Sequence, residues 1–206
     1  MTAAFDPADR ADLDVSGLPT TVFGPRDIMW WGVLGFMTIE GMTLVVAVAS
    51  YFYLWRQPGT WPPEHTLLPS LGWPTVHVVF LVASNLVMMR VSRVAHRLDL
   101  AALRRWMLVA TACSIVMVPL RWLDFLALNV RWDTNAYGSI AWLTVGLHGT
   151  LLVTNTAEML VFTTILHLRP TERHFTDAAD SAFYWYYMTL VWVPLYVMVY
   201  WGPRFL

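Results

Sequence analysis

Lysine is absent from this chain: all 13 of its basic residues are arginine. Charge of either sign is scarce, at 13% of residues with a formal net charge of −1, which argues against a general nucleic-acid binder. Cysteine is represented once, by Cys113 within a hydrophobic segment, so a disulfide framework or a CxxC metal site is excluded and the thiol reads as a small core residue. No nucleotide-binding loop, nucleophile elbow or zinc motif occurs. Residues 1–26 lack the basic start and apolar stretch of a cleavable signal peptide. Their Asp6, Asp9, Asp12 and Asp14, set among prolines and glycines, read as a polar arm.

What is abundant is apolar and aromatic. Hydrophobic residues make up 57% of the chain and aromatics 15%, with twelve Trp and eleven Met. Five runs are long enough to cross a hydrocarbon core of about 30 Å as helices, at about 27–55, 75–94, 102–128, 137–166 and 183–201. The expected fold is all-α, a polytopic membrane bundle of five transmembrane helices. The first run carries Trp30 and Trp31 at one end and Tyr51, Tyr53 and Trp55 at the other, as aromatic belts do. A loop rich in proline and glycine follows. The third run contains Pro119, expected to kink it, with Arg121 and Asp124 three residues apart on one helical face. The polar stretch HLRPTERHFTDAADSA reads as a connection before the last run.

Arginine distribution gives an orientation. Nine arginines fall in the amino-terminal arm and in the second and fourth loops, against Arg56, Arg131 and Arg204 on the other side. The positive-inside rule then puts the amino terminus in the cytoplasm and the carboxyl terminus outside.

Ionisable groups inside apolar helices are costly, by about 2.5 kcal/mol or more for a charge at the bilayer centre, so each needs a partner or a function. Glu40 lies about 20 Å into the first span, and His148 about 16 Å into the fourth from the opposite side. A direct or water-mediated contact between them is feasible. Glu158, about 15 Å nearer the cytoplasm than His148, could extend such a pair into a proton relay. Interhelical hydrogen bonds are the plainer alternative. Arg121 and Asp124 read as a structural pair near the outer interface. His77 reads as an interfacial histidine, and His65, His96, His167 and His174 as solvated. Haem ligation by His77 and His148 is disfavoured by a depth mismatch of about 12 Å.

Several stretches, in order, resemble subunit III of haem-copper (cytochrome c) oxidases in its short, five-helix bacterial form. WWGVLGFMTIEGM is similar to the family's membrane-glutamate stretch and sets Glu40 at its buried carboxylate. RWLDF sets Asp124 where the family usually has glutamate, and AYGSIAWLTVGLHG aligns Tyr137, Gly138, Ser139, Gly146, His148 and Gly149 with familiar places. The closing AFYWYYMTLVWVPLYVMVYWG is similar to its aromatic last helix. Departures occur at His77, Leu151, Tyr186 and Thr189, so this is a divergent member, and Glu158 has no family counterpart.

The resemblance implies a subunit without catalytic residues or cofactors of its own. It implies oxidase subunits I and II as partners, carrying haem and copper, in a bacterial inner membrane. Phospholipid would be bound in a cleft that supports proton uptake, with Glu40 and His148 nearby. No nucleic acid and no soluble substrate are implied. A nitric oxide reductase accessory subunit, which shares the five-helix form, and a stand-alone transporter or proton channel are the alternatives.

Overall fold

The computed structural model describes residues 28–205, and the polar arm at 1–26 lies outside them. Five long helices run α1 (Ile28–Trp55), α2 (Gly72–His96), α3 (Leu100–Ala127), α4 (Ala136–Leu168) and α5 (Arg173–Tyr196). All five are long and apolar enough to cross a membrane, and there is no strand among the described residues. Short turns join α2 to α3 and α4 to α5, and a longer loop at 56–71 joins α1 to α2. α2 packs against α3 and α5, α3 against α4, and α1 against α4 and α5; the contact between α4 and α5 is slight.

Local chemistry sets the helix ends. The Asp99 carboxylate accepts from the Ala102 N–H at 2.9 Å and starts α3, and the Asn135 side chain does the same for Gly138 of α4 at 2.8 Å. At the far end of α4, Arg104 donates to the carbonyls of Leu166 and His167, groups the helix itself leaves unpaired. Pro119 sits within a continuous α3. Pro194 lies near the end of α5, which passes into a π-helical turn at Val197–Trp201.

α1 shows why the chain suits lipid. Its buried residues are Met37, Glu40, Leu44, Ala47 and Tyr51, a narrow seam with spacings of three and four. Ile39, Met42, Val45 and Val46 point outward at 64–67% exposure. An apolar surface on all sides of a helix is stable only where its surroundings are apolar too.

One expectation fails in this region. The stretch read as a polar connection is largely helical, because α5 starts at Arg173, ten residues before the apolar run begins at Phe183. Asp177, Asp180, Ser181 and Tyr184 recur at helical spacing, and all four turn to one side of that added length.

Candidate functional site

Two groups of ionisable side chains occupy different parts of the bundle. The first lies where α2, α3, α4 and α5 meet. Asp124 Oδ2 accepts from Arg121 Nη1 at 2.9 Å and from His77 Nδ1 at 2.6 Å. The other arm of the guanidinium, Nη2, donates to His148 Nδ1 at 2.7 Å, and His148 Nε2 lies 3.1 Å from the carbonyl oxygen of Met188. Arg121 also stacks on Trp192, its guanidinium carbon 3.7 Å from the ring centroid. Tyr200, in the π-helical turn, donates to the Asp124 backbone carbonyl at 2.9 Å. His77, Asp124, His148, Trp192 and Tyr200 are fully buried, and Arg121 is 3% exposed.

These contacts fix the protons. A guanidinium only donates, so His148 Nδ1 is an acceptor and its Nε2–H donates to Met188. A carboxylate only accepts, so the His77 proton is on Nδ1. His148 is therefore neutral in this arrangement, and one guanidinium is set against one carboxylate. Pairing of this kind suits burial inside an apolar bundle.

The second group lies on the side of the bundle where α1 meets α4 and α5. Tyr184 Oη is 2.9 and 2.8 Å from the two carboxylate oxygens of Glu40, which is 8% exposed. Close approach of α5 to α1 depends on Gly41, where a Cβ would come within 3.1 Å of Tyr187 Oη. That hydroxyl donates to the Met37 carbonyl at 2.9 Å. Beside this contact is a cavity of about 680 Å³, walled by Met29, Val33 and Phe36 of α1, by Glu158, Val161 and Phe162 of α4, and by Asp177, Asp180 and Tyr184 of α5, among others. Phe36 and Val161 are 53% and 60% exposed, so the cavity opens to the surroundings of the bundle.

Several sequence expectations are corrected by this geometry. Glu40 and His148 do not touch: Glu40 pairs with Tyr184 and His148 with Arg121 and Met188. Their contacts on α5 are one turn apart, at Tyr184 and Met188, so similar depth did not bring them together. Glu158 lines the cavity with Tyr184, on the Glu40 side of the bundle. His77 is five residues into α2, which starts at Gly72, and its ring is fully buried against Asp124. Arg121 and Asp124 do pair, yet each also holds a histidine, which spacing within one helix could not show. Of the histidines read as solvated, His167 is half-buried, with Nδ1 2.7 Å from the Thr163 carbonyl oxygen, and His174 packs edge-on against Phe162. Trp192, Tyr184 and the acidic pair on α5 were missed. The pattern at 177, 180, 181 and 184 was the available signal. Among the described residues no three His, Cys, Asp or Glu side chains converge as metal ligands.

Comparison with known proteins gives a consistent result. The family model for cytochrome c oxidase subunit III matches residues 26–203. A Synechocystis protein named cytochrome c oxidase subunit 3 is 25% identical over 184 residues, covering 86% of this chain and 77% of its own length. A Mycobacterium leprae protein named probable cytochrome c oxidase subunit 3 is 29% identical over 178 residues, covering 82% and 85%. A Marchantia polymorpha protein named cytochrome c oxidase subunit 3 is 25% identical over 186 residues, covering 83% and 67%. With five apolar helices in the order described and a match across nearly their whole length, the chain is a multi-pass membrane protein that belongs to the cytochrome c oxidase subunit III family.

Proposed function

We propose that this chain is the non-redox subunit III of a respiratory haem-copper oxidase, set beside subunits I and II that carry the haem and copper. It stabilises subunit I, holds phospholipid along the α1, α4 and α5 face, and supports proton uptake from the cytoplasmic side. The observation that carries this reading is the Glu40–Tyr184 contact beside a 680 Å³ cavity that is apolar over most of its wall and opens sideways. A bilayer is the surrounding such a face suits, and a carboxyl held beside it within the hydrocarbon depth is positioned to meet protons. The arginine distribution supports a cytoplasmic amino terminus, an outward carboxyl terminus and insertion in a bacterial inner membrane.

The test is purification of the tagged chain from its native membrane in mild detergent, with an optical spectrum and identification of co-purifying subunits. Haem-copper subunits with oxidase bands support the assignment. A nitric oxide reductase partner would move the chain to a different complex, and a colourless protein purifying alone would overturn the accessory-subunit reading. Within the complex, Glu40→Ala is expected to assemble with an unchanged spectrum while losing lipid or losing activity faster during turnover. Unchanged lipid content together with unchanged activity decay in that variant would remove Glu40 from the proposed role.

A further inference from the structure

The buried cluster around Asp124 holds more polar atoms than its own contacts use. Asp124 Oδ1, Arg121 Nε, His77 Nε2 and Trp192 Nε1 are all buried, and none forms a hydrogen bond with any described residue. Each belongs to a side chain already tied into the cluster. Asp124 bonds both Arg121 and His77, and Arg121 stacks on the Trp192 ring. The rings of His77 and Trp192 have centroids 6.4 Å apart. Four unpaired atoms therefore share one compact region where α2, α3 and α5 meet, in a part of the bundle where a polar group without a partner is destabilising.

The chemistry of these atoms selects their partner. Arg121 Nε and Trp192 Nε1 can only donate, and a carboxylate oxygen such as Asp124 Oδ1 can only accept. His77 Nε2 accepts while the ring is neutral and donates when it is protonated. A cation would be repelled by the guanidinium and the two N–H donors, and an anion by the carboxylate. Water donates and accepts at once, and a water buried in a protein makes about three such bonds to groups that would otherwise be unpaired. We infer that the Arg121–Asp124 cluster is an internal hydration site, in which at least one ordered water bridges Asp124 Oδ1 to one or more of Arg121 Nε, His77 Nε2 and Trp192 Nε1. That water joins α2, α3 and α5 through the atoms that the direct bonds leave over. The inference goes beyond the oxidase reading and holds whichever complex the chain serves.

Two measurements on the purified complex, with no substitution, test this. The first is radiolytic labelling, in which hydroxyl radicals formed from a bound water oxidise the side chains beside it. Trp192 and Trp185 are equally buried, at 0% and 1% exposure, but the Trp185 Nε1–H already donates to Ser84 Oγ at 2.8 Å. Trp192 should therefore be labelled several-fold faster than Trp185. The second is a cryo-electron microscopy map at a resolution that shows ordered water. It should contain a peak about 3 Å from Asp124 Oδ1 and from at least one of the other three atoms. Labelling of Trp192 no faster than that of Trp185 would overturn the inference, as would ordered side chains with no peak between them. A peak about 2.0–2.5 Å from Asp124 Oδ1 would also overturn it, because that is the distance of a bound metal ion.

Discussion

Around Asp124 each charge has an opposite charge or a donor within 3 Å and no access to the outside, whereas around Glu158 carboxylates gather along an apolar wall that opens sideways. The closed cluster ties α2, α3, α4 and α5 through Arg121, which reaches Asp124 and His148 and lies on Trp192. The open one sets the carboxyl groups of Glu158, Asp177 and Asp180 along an apolar wall. A buried cluster of paired charges suits a structural lock, because removing any one member strands the others in a low-dielectric interior. Of its three carboxyl groups Glu158 is exposed, Asp177 half-buried and Asp180 buried. Glu40 stands between the two plans: it is buried like the first group but bonded to one hydroxyl only, and it lies beside the second.

The largest effect should come from breaking the closed cluster. Asp124→Ala leaves Arg121 buried without a carboxylate and the His77 N–H without an acceptor, and should cost about 3–5 kcal/mol. The measure is loss of assembled complex and a lower midpoint of thermal unfolding in detergent. The double variant Arg121→Met, Asp124→Leu should recover part of that loss, since it removes both charges while leaving the two imidazoles short of a partner. A double variant no better than Asp124→Ala would show that charge balance is not what holds the cluster.

Next in size is Gly138→Ala. A Cβ there would come 2.3 Å from the Arg131 carbonyl oxygen, so the loop before α4 must move, at a cost of about 1–3 kcal/mol by the same unfolding measurement. Tyr184→Phe removes the hydroxyl bonded to Glu40 and should cost about 1–3 kcal/mol, as expected when a buried acceptor loses its donor. Unlike the Asp124 variant, it should assemble, and its defect should appear in lipid retention or activity decay. If Tyr184→Phe instead blocks assembly as Asp124→Ala does, the contrast between the two regions collapses.

The smallest effect belongs to the exposed pair Arg131 and Asp133, bonded through both guanidinium and carboxylate arms at 3.0 and 2.9 Å. Its hydrogen bonds to Arg131 hold the Asp133 carboxyl below the usual aspartate value. A carboxyl with a depressed folded-state pKa contributes stability above its unfolded value, and that contribution is lost as pH falls through the folded one. Thermal unfolding of Asp133→Asn should therefore trail the parent slightly at neutral pH and converge with it in acid. Because the pair is exposed, salt should reduce even that difference.

Much of the fold was legible because hydropathy and aromatic belts report directly on the requirement to cross lipid. The site was legible only within single helices. Arg121 and Asp124 are three residues apart, and helical geometry puts such a pair on one face whatever surrounds it. Their two histidines come from α2 and α4, and no spacing along the chain encodes which of several helices of matching depth will pack together. The apolar run begins at Thr75, whereas α2 begins a turn earlier and neighbouring helices cover the His77 ring, which the run alone does not encode. Asp177 and Asp180 were missed because their polar stretch lowers local hydropathy, although its helical period was present.

By itself, the sequence determined five membrane-length helices and the pairing of Arg121 with Asp124. Each follows from one helix and its need to satisfy polar groups away from water. Tertiary structure alone decided that Glu40 bonds Tyr184 and not His148, that His77 and His148 share the Arg121–Asp124 charge, and that Glu158 lines an open cavity with the acids of α5. These outcomes depend on which helices pack together and on their rotation about their own axes. A rotation of one residue is about 100°, enough to turn a side chain from one neighbour to another at unchanged depth.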